Sequence, residues 1–588
     1  MSFVAQSLRT AIIAALVTGH SVADEVPLRD HPEQILSRFS AQAVELPVPW
    51  WRDAIQSPLG IAASTSSITA DEAVIQSMTL SPDIQILNVQ PQIERTEITR
   101  QRAAFDWTNF LESSWNDRND PIGSSLTTGS LEGRYEDRLL SGAAGTRKTT
   151  TGGTEIELAE RMGWQRNNST FLIPNPQSTS RLELTLTQPL LAGRGEAYNL
   201  RRVFEAKLIT EGSQSQSVAR IQQYLLNVHE RYWELYRTRA IFIQRKAAAD
   251  RATDLADSLV HRAQLDTSSR QIFRSRTAAA QQRAELIEAA SAADMASIEL
   301  RRLVGAIDFQ SELIPQQSPS VNAVPIDSVI AFQNALARRP EIDTAVREIR
   351  VASIRIGASK NELMPRLDLI AGAYVAGLTP DRSFSDALGR QFSDGRPTYN
   401  IGVAWERPAG NRAAKVALYR RQLEMQEAMA RYESAVQDVR RDVEIALQQV
   451  HLTYRSLLQR HESLAASQAE ASFLLDRWHT APGSDGPPIL LLEDLISAQS
   501  RLADEENATV IAETDHAIAQ VRYLKASGML IQSYRMPDTL ESPDPLSLPE
   551  ALPAPRPMIP EATIESDLSA PKLLPPTIER PEPEAKSP

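Results

Sequence analysis

The stretch that decides the fold is SRLELTLTQPLLAGRGEAYNLRR, residues 180–202, and a second stretch, PTYNIGVAWERPAGNRAAKVALYRR, residues 397–421, follows the same plan. Each begins with alternating polar and apolar residues, passes a Gln-Pro or Arg-Pro step and a glycine, and ends in unbroken helical sequence. Alternation with a period of two predicts a strand with two different faces. A repeated unit of strand and long helix predicts one duplicated architecture rather than several unrelated domains.

Long helices are predicted after both stretches. Residues 196–259 contain no proline and a single glycine, and at ~1.5 Å per residue such a helix spans on the order of 95 Å. Return helices are predicted over residues 269–304 and 490–530. Apolar residues recur at alternating steps of three and four, which is the spacing of a coiled-coil seam. In the two halves these residues are Val218, Ile221, Leu225, Val228, Tyr232 and Leu235, and Val436, Val439, Val443, Ala446, Val450, Thr453 and Leu457.

Alternating apolar and polar residues predict five strands, at residues 105–115, 154–164, 181–190, 367–375 and 399–405. Runs of ~10 residues with aromatic ends are typical of the outer face of a membrane barrel, and a half-buried antiparallel sheet gives the same pattern. Both alternatives remain open from the strands alone. Four tryptophans are predicted either as anchors at the membrane interface or as ordinary sheet packing. They are Trp107, Trp115, Trp164 and Trp405.

Composition and charge exclude several classes of function. The 588-residue chain has a net charge of −12, which gives no electrostatic reason to expect a nucleic-acid partner. It has no cysteine, so disulfides and thiolate metal sites are excluded. Its eight histidines are scattered without a His-Glu-x-x-His motif, and no catalytic, cofactor or metal site is predicted. A basic segment at residues 142–149 is predicted to be an exposed loop at the outer end of the sheet.

The N-terminus predicts export. Arg9 precedes an apolar run at residues 11–17, and Ser21-Val22-Ala23 resembles a cleavage site, so residues 1–23 are predicted to be a signal peptide. Residues 24–65 are predicted to be an extension with little regular structure, and Thr69 with Glu72 to form a capping box that opens a helix. The predicted domains after the extension are two repeats, at 66–305 and 331–532, a linker at 306–330 between them, and a Pro-rich disordered tail at 533–588.

The helices favour the membrane barrel over the half-buried sheet, because they are far longer than one bilayer and too polar to lie in one. In hydrocarbon every backbone polar group needs an internal partner, so the sheet must close on itself. One chain offers about four spanning strands, with 154–164 as a surplus strand or part of a long extracellular hairpin. The smallest bacterial barrels have about eight strands. Closure therefore requires several copies of the chain, and the arithmetic alone does not select two, three or four.

The sequence resembles the TolC family of outer-membrane efflux and secretion ducts. Three features carry the resemblance: ARRPEI at 337–342 followed by Leu-Met-Pro at 363–365 before a strand, the proline steps at Pro189 and Pro408, and LEDLISAQ at 492–499 after the second helical tip. The resemblance covers roughly residues 65–532. It implies an α+β membrane protein: a homotrimer with a twelve-stranded barrel, continued by a coiled-coil α-helical barrel in the periplasm.

The resemblance also implies a function without catalysis or cofactor. The chain would be an exit duct for small molecules in the cell outer membrane, docked to a periplasmic adaptor and an inner-membrane transporter. Two alternatives remain: the outer-membrane component of a type I protein secretion system, and, from a different class, a periplasmic coiled-coil scaffold protein.

Two groups of site residues follow from the resemblance. Asp494 occupies the position of an inward-facing carboxylate that narrows the tunnel, with Ser497 at the next such position, and the alternative for Asp494 is a solvated helix residue. The first tip departs from the family pattern, since Asp266 and Ile272 stand where glycine and aspartate are usual. The residues at the helical tips are predicted either to contact the adaptor or merely to form turns. They are Arg262, Asp266, Ser268, Ser269, Gly483, Asp485 and Gly486.

Overall fold

The computed structural model describes residues 47–60, 64–129, 133–261, 269–305, 311–322, 327–480 and 488–534. The predicted signal peptide, the first part of the predicted extension and all but the first residues of the predicted tail lie outside these ranges.

The strands within the described ranges form two sheets. β2, β3, β4, β5, β7 and β8 form a six-stranded antiparallel sheet in that order, and β1 pairs with β6 in parallel. The bounds are β1 Ser64–Ile68, β2 Thr108–Pro121, β3 Arg134–Thr149, β4 Glu155–Asn167, β5 Gln177–Pro189, β6 Ser311–Pro315, β7 Arg366–Thr379 and β8 Thr398–Glu406.

The helices form an elongated bundle that continues from one end of the large sheet. The two longest contain 61 and 69 residues, or about 90 and 100 Å at ~1.5 Å per residue. The bounds are α1 Arg52–Ile55, α2 Ala70–Leu80, α3 Pro82–Arg102, α4 Glu196–Asn199, α5 Arg201–His261, α6 Ser269–Val304, α7 Ser328–Arg338, α8 Pro340–Glu362, α9 Phe384–Ser393, α10 Arg412–Thr480, α11 Pro488–Ala526 and α12 Leu530–Ser533.

The predicted helices are confirmed closely. α10 directly follows β8, and α5 follows β5 after the short helix α4; each long helix is followed by a return helix, α6 or α11. The predicted seam is the buried stripe of these helices, because Leu225, Val228 and Leu235 on α5 and Val443 and Leu457 on α10 are all almost fully buried. The predicted capping box is present at the start of α2.

Glycine allows the strand-to-helix junction after β5 to turn. Gly193 and Gly195 have φ angles of 88° and 96°, a backbone region that other residues rarely adopt. The Gly193 N–H donates to Asn361 Oδ1 at 2.7 Å, and Asn411 Nδ2 donates to the Leu363 carbonyl at 3.0 Å. These bonds bring the starts of α5 and α10 beside the end of α8, so that all three helices meet the sheet at the same end.

The Arg339-Pro340-Glu341 motif starts α8 and joins it to α10. Pro340 is the first residue of α8, where its missing N–H costs no hydrogen bond. Arg339, whose side chain is 9% exposed, donates to Glu341 at 3.0 Å and to Asp442 of α10 at 2.9 Å. The motif therefore fixes the direction in which α8 runs towards the sheet.

The sheet differs from the sequence prediction in strand number. The sequence predicted five strands, about four of them spanning the membrane, and the structure contains six in one sheet. Residues 142–149, predicted to be an exposed outer loop, form the second half of β3. The turn after them lies at the helix end of the sheet, because the Gly195 N–H donates to the Gly152 carbonyl at 3.1 Å. The strand at 154–164 is β4, a full member of the sheet between β3 and β5.

The predicted extension and linker also differ from the structure. The described part of the extension contains α1 and the fully buried Trp51. The predicted linker contains β6, every residue of which is buried. β1 and β6 pair with each other, β6 packs against α5, and the Tyr232 hydroxyl of α5 donates to the Ile68 carbonyl of β1 at 3.4 Å, so both segments belong to the folded body. β6 has no alternating pattern, since a short strand buried on both sides does not need one.

The largest core cluster lies where α1, α2, α5 and α6 meet the two-stranded sheet, with Tyr232 and Tyr236 of α5 fully buried in it. His229 of α5 borders this cluster and is 5% exposed. Its Nε2 lies 2.7 Å from the hydroxyl of Tyr534, which also donates to Asp71 at 3.1 Å. Burial lowers the pKa of His229 to about 4, and the nearby Asp71 carboxylate opposes this effect.

The lowered pKa of His229 predicts acid sensitivity. A neutral His229 stabilises the fold fully above its ordinary pKa of 6.5, and this contribution is lost as pH falls from there towards about 4. We expect roughly 2 kcal/mol to be lost between about pH 7 and about pH 4.5. His229→Gln keeps a hydrogen-bonding side chain but cannot titrate. Its unfolding temperature should therefore fall less than that of the parent chain over the same pH interval. His451→Gln changes an exposed histidine of α10 and should behave like the parent chain. Equal acid sensitivity of all three proteins would contradict this role of His229.

Candidate functional site

The six-stranded sheet has one continuous apolar face. Directly opposed residues of antiparallel strands point to the same side, so the register assigns every residue of the sheet to one of two faces. The apolar face includes Leu111 and Trp115 of β2, Leu140 and Ala144 of β3, Ile156, Leu158, Met162 and Trp164 of β4, Leu182, Leu184 and Leu186 of β5, Leu367, Leu369, Ala371, Ala373 and Val375 of β7, and Tyr399, Ile401, Val403 and Trp405 of β8.

Much of this apolar face is open in the single chain. Leu111 is 82% exposed and Ile401 is 81% exposed, at opposite edges of the sheet. Exposed apolar surfaces that extend over several strands mark contacts with a membrane or another protein. The apolar face is therefore a surface that water is not expected to cover in the functional state.

The opposite face is polar and carries both signs of charge. Arg161 of β4 forms ion pairs with Glu157 at 3.0 Å and with Glu183 of β5 at 3.1 Å. Arg181 of β5 lies over the ring of Tyr374 of β7, 4.4 Å from its centroid. Such a face suits contact with water rather than with hydrocarbon. These charges were not predicted as a site, although their positions in the strands alternate with those of the leucines, which was the available signal.

The four predicted tryptophans lie on the apolar side. Trp107 directly precedes β2 and Trp405 is near the end of β8, both towards the helix end of the sheet. Trp115 and Trp164 stack with centroids 6.0 Å apart, further along. Trp115 follows Trp107 by eight residues, which is roughly 27 Å along a strand at ~3.4 Å per residue. A strand tilt of ~35–45° reduces this to about 20 Å, close to the ~25 Å band between aromatic girdles of membrane barrels.

A short helix, α9, covers Glu160, a carboxylate of β4 on the apolar face, opposite Ala144 of β3. Gln391 of α9 donates to Glu160 of β4 at 3.2 Å and accepts hydrogen bonds from the Leu182 N–H and the Ser180 hydroxyl, both at 3.1 Å. Gly377 of β7 permits this close approach, because a Cβ there would lie 2.2 Å from the Ala387 carbonyl oxygen. The sequence did not predict α9. It shields a charge that would otherwise interrupt the apolar surface.

The sheet ends in two edges, β2 and β8. Each has a paired side, against β3 or β7, and a side with no strand partner among the described residues. All nine residues of β8 are exposed in the single chain. Open edges with unpaired backbone groups are sites for pairing with another strand.

The structure describes only some of the residues predicted as sites at the helical tips. Asp494 and Ser497 are exposed on one side of α11, one turn apart, and Leu492, Leu495 and Ala498 are buried on the other side. The neighbouring Glu493 connects the two hairpins, because its Oε1 lies 3.6 Å from Arg274 and 3.9 Å from Arg270 of α6. Ser269 is the first residue of α6. The other predicted tip residues lie outside the described ranges: Arg262, Asp266, Ser268, Gly483, Asp485 and Gly486.

None of the helices in the described ranges combines the length and the apolar character that crossing a membrane requires. No group of three or more histidine, aspartate or glutamate side chains in the same ranges is arranged to hold a metal ion.

Comparison with known proteins gives similarity in structure only. No protein-family profile matches the chain. No curated protein matches it by sequence. Among solved structures, the outer membrane protein VceC of Vibrio cholerae is 15% identical with a TM-score of 0.55, and the match covers 78% of this chain and 96% of VceC.

Two further solved structures give the same result. The CmeC outer membrane channel of Campylobacter jejuni is 13% identical, with a TM-score of 0.56 over 84% of this chain and 95% of CmeC. The MtrE outer membrane channel of Neisseria gonorrhoeae is 16% identical, with a TM-score of 0.54 over 84% and 98%. These neighbours are TolC-type outer-membrane channels and not enzymes. The predicted resemblance to the TolC family and the α+β fold class are therefore confirmed at the level of the fold.

Proposed function

We propose that this chain, which has the fold of TolC-type channels, is a passive exit channel of the outer membrane. Several copies would combine their sheets into one closed barrel and their long helices into a tunnel in the periplasm. The observation that supports this most strongly is the two-faced sheet, apolar on one side across all six strands and charged on the other. The apolar face suits lipid and the charged face suits a water-filled lumen.

The two open edges support closure by several copies. A sheet edge exposed to lipid would leave N–H and C=O groups without partners, at a cost of several kcal/mol each. Six strands fall short of the about eight in the smallest bacterial barrels. The β8 edge of one copy would therefore pair with the β2 edge of the next. Closed rings of identical subunits are the usual result of such head-to-tail contacts, and we propose three copies, as the resemblance implies.

The cargo and the partners belong to the same proposal. We propose efflux of small molecules, driven by an inner-membrane transporter that reaches the channel through a periplasmic adaptor at the helical tips. A type I protein secretion outlet would need the same wall and tunnel and remains the second candidate. The exposed apolar face argues against a periplasmic scaffold, because a water-soluble scaffold would have no partner for it.

Membrane fractionation tests the location. In a Gram-negative host, the full-length protein should stay with the outer membrane after a carbonate wash. Without heating, it should also migrate anomalously in gel electrophoresis, because a closed barrel resists detergent. A protein that washes off and migrates at its chain mass would instead be the scaffold.

We further propose that Asp494 forms a ring of carboxylates where the copies meet at the tip of the tunnel. Like charges held close together repel one another and favour binding of cations. Asp494→Ala should raise single-channel conductance and weaken block by divalent cations in planar bilayers. Asp504→Ala removes another exposed carboxylate of α11, ten residues or about 15 Å further from the tip, and should leave the block unchanged. Parent-like conductance and block in Asp494→Ala would exclude the ring.

A further inference from the structure

The β3–β4 hairpin is inserted between two strands that would otherwise be neighbours. Without it, β2 would pair directly with β5, and each copy would contribute β2, β5, β7 and β8. We propose that this hairpin is part of the barrel wall, so that three copies enclose an eighteen-stranded barrel rather than a twelve-stranded one. The inference rests on the proposed function, since it concerns the size of the same pore.

The pairing of the hairpin is continuous along its length. β2 pairs with β3 from Thr108↔Arg147 to Pro121↔Arg134 without interruption. β3 pairs with β4 from Thr149↔Glu155 to Asp137↔Asn167, and β4 continues against β5. A flap folded outside the wall would leave β2 and β5 to pair with each other. Here each of them is paired with the hairpin instead.

The hairpin also has the two faces of a wall. On β4, Leu158 is opposite Leu184 of β5 on the apolar face, and Glu157 and Arg161 lie on the charged face. On β3, Ala144 is opposite Leu111 on the apolar face, and Arg147 lies on the charged face. A hairpin surrounded by water would have no reason to continue this alternation. Both strands therefore match the environment of their neighbours, lipid on one side and water on the other.

The turn of the hairpin is built into the start of the helical bundle. The Gly152 carbonyl accepts from the Gly195 N–H at 3.1 Å, and the Thr151 hydroxyl donates to Glu196 of α4 at 3.2 Å. A Cβ on Gly153, whose φ is 94°, would lie 2.6 Å from the Gly193 carbonyl. Short turns on the periplasmic side and longer loops outside are the pattern of bacterial barrels. Residues 150–154 are the short turn, and residues 122–133 and 168–176 are the longer connections.

The consequence is a wide outlet. Barrel diameter grows roughly linearly with strand number, so eighteen strands give about one and a half times the diameter of twelve. The charged face, including the ion pairs of Arg161, would line this outlet. Discrimination between cargoes would then lie in the helical tunnel rather than in the barrel.

Cysteine labelling tests the proposal, because the chain has no cysteine of its own. Full-length variants in lipid vesicles are treated with a charged, membrane-impermeant thiol reagent. A thiol in water ionises and reacts, and one held in hydrocarbon stays protonated. Glu157→Cys and Ala143→Cys, on the charged face, should therefore be labelled at least about tenfold faster than Leu158→Cys and Ala144→Cys.

Two β8 variants and the mass of the complex separate the outcomes. Asn400→Cys should react and Ile401→Cys should not, if the sheet is in the membrane at all. Protection of Ile401→Cys with rapid labelling of both Leu158→Cys and Ala144→Cys would overturn the hairpin as wall and leave the proposed channel standing. Rapid labelling of Ile401→Cys as well would mean that the proposed function itself fails. The purified complex should have the mass of three chains, and any other multiple would overturn the count of eighteen.

Discussion

Ile401→Arg is expected to prevent stable insertion of the protein into the outer membrane. Ile401 lies in the middle of β8 on the apolar face and is 81% exposed in the single chain, so in the proposed barrel its side chain meets lipid. Arginine on the lipid face near the centre of the bilayer costs about 2–4 kcal/mol, and every copy in the ring would carry that cost. The heat-modifiable oligomer in outer-membrane fractions should fall to a small part of the parent level.

Asn400→Arg is the matched control for Ile401→Arg. Asn400 is the adjacent residue of β8, opposite Gly372 on the charged face, where an added arginine would meet water. Its oligomer should form at nearly the parent level. If the two arginine variants insert equally well, or if Asn400→Arg is the worse, the assignment of the two faces is wrong.

Glu312→Gln is expected to destabilise the helical body by about 3–5 kcal/mol, because it leaves a buried cation without its partner. Glu312 of β6 and Arg239 of α5 form an ion pair of 2.7 Å with side chains only 5% and 3% exposed. Glutamine has nearly the same shape as glutamate. Its side-chain oxygen can still accept the hydrogen bond that the Leu59 N–H donates to Glu312 Oε1 at 2.8 Å in the parent chain. The variant therefore removes the charge and little else. Burial already lowers the pKa of Arg239, an effect that Glu312 opposes.

The unfolding temperature of the purified protein, followed by circular dichroism, measures this effect. Glu444→Gln provides the comparison, since Glu444 pairs with Arg440 at 2.8 Å but both side chains are more than half exposed. Exposed pairs contribute about 0–1 kcal/mol, so this variant should unfold near the parent temperature. Similar unfolding temperatures for the two variants would show that the buried pair does not hold β6 against α5.

The helical part could be predicted from sequence because its determinants are local. A coiled-coil seam is encoded in steps of three and four residues, and long segments without proline or glycine leave little doubt about helix extent. The predicted return helix at 269–304 and the observed α6, Ser269–Val304, coincide. The Arg339-Pro340-Glu341 motif was recognised, although its contact with Asp442 of α10 depends on packing that the sequence does not display.

The sheet was predicted less completely because some of its strands have no clear alternation of their own and can be recognised only beside their neighbours. β3 has Gly142, Ala143, Ala144 and Gly145 at its centre, and small residues do not produce an alternating signal. Its two faces become visible only when β2 and β4 are aligned with it. β6 was missed for a related reason, since a short buried strand has no polar side and its partner β1 lies about 250 residues away.

The candidate site was predicted in part. The alternation of β5, β7 and β8 identified an apolar face, and the structure extends it to all six strands. Two roles stay predictions: that of the four tryptophans as interface anchors, and that of Asp494 as a constriction. Glu160 and its cover by Gln391 of α9 could not be foreseen, because a carboxylate on an apolar face is understood only once its partner is known.

Ion conduction tests most directly that several copies jointly enclose one water-filled pore. Full-length protein, purified in detergent as an oligomer, is added to planar lipid bilayers and the current is recorded at constant voltage. We expect discrete, uniform conductance steps from the oligomer and none from heat-dissociated chains. A purified protein that is monomeric and produces no steps would contradict the proposed channel.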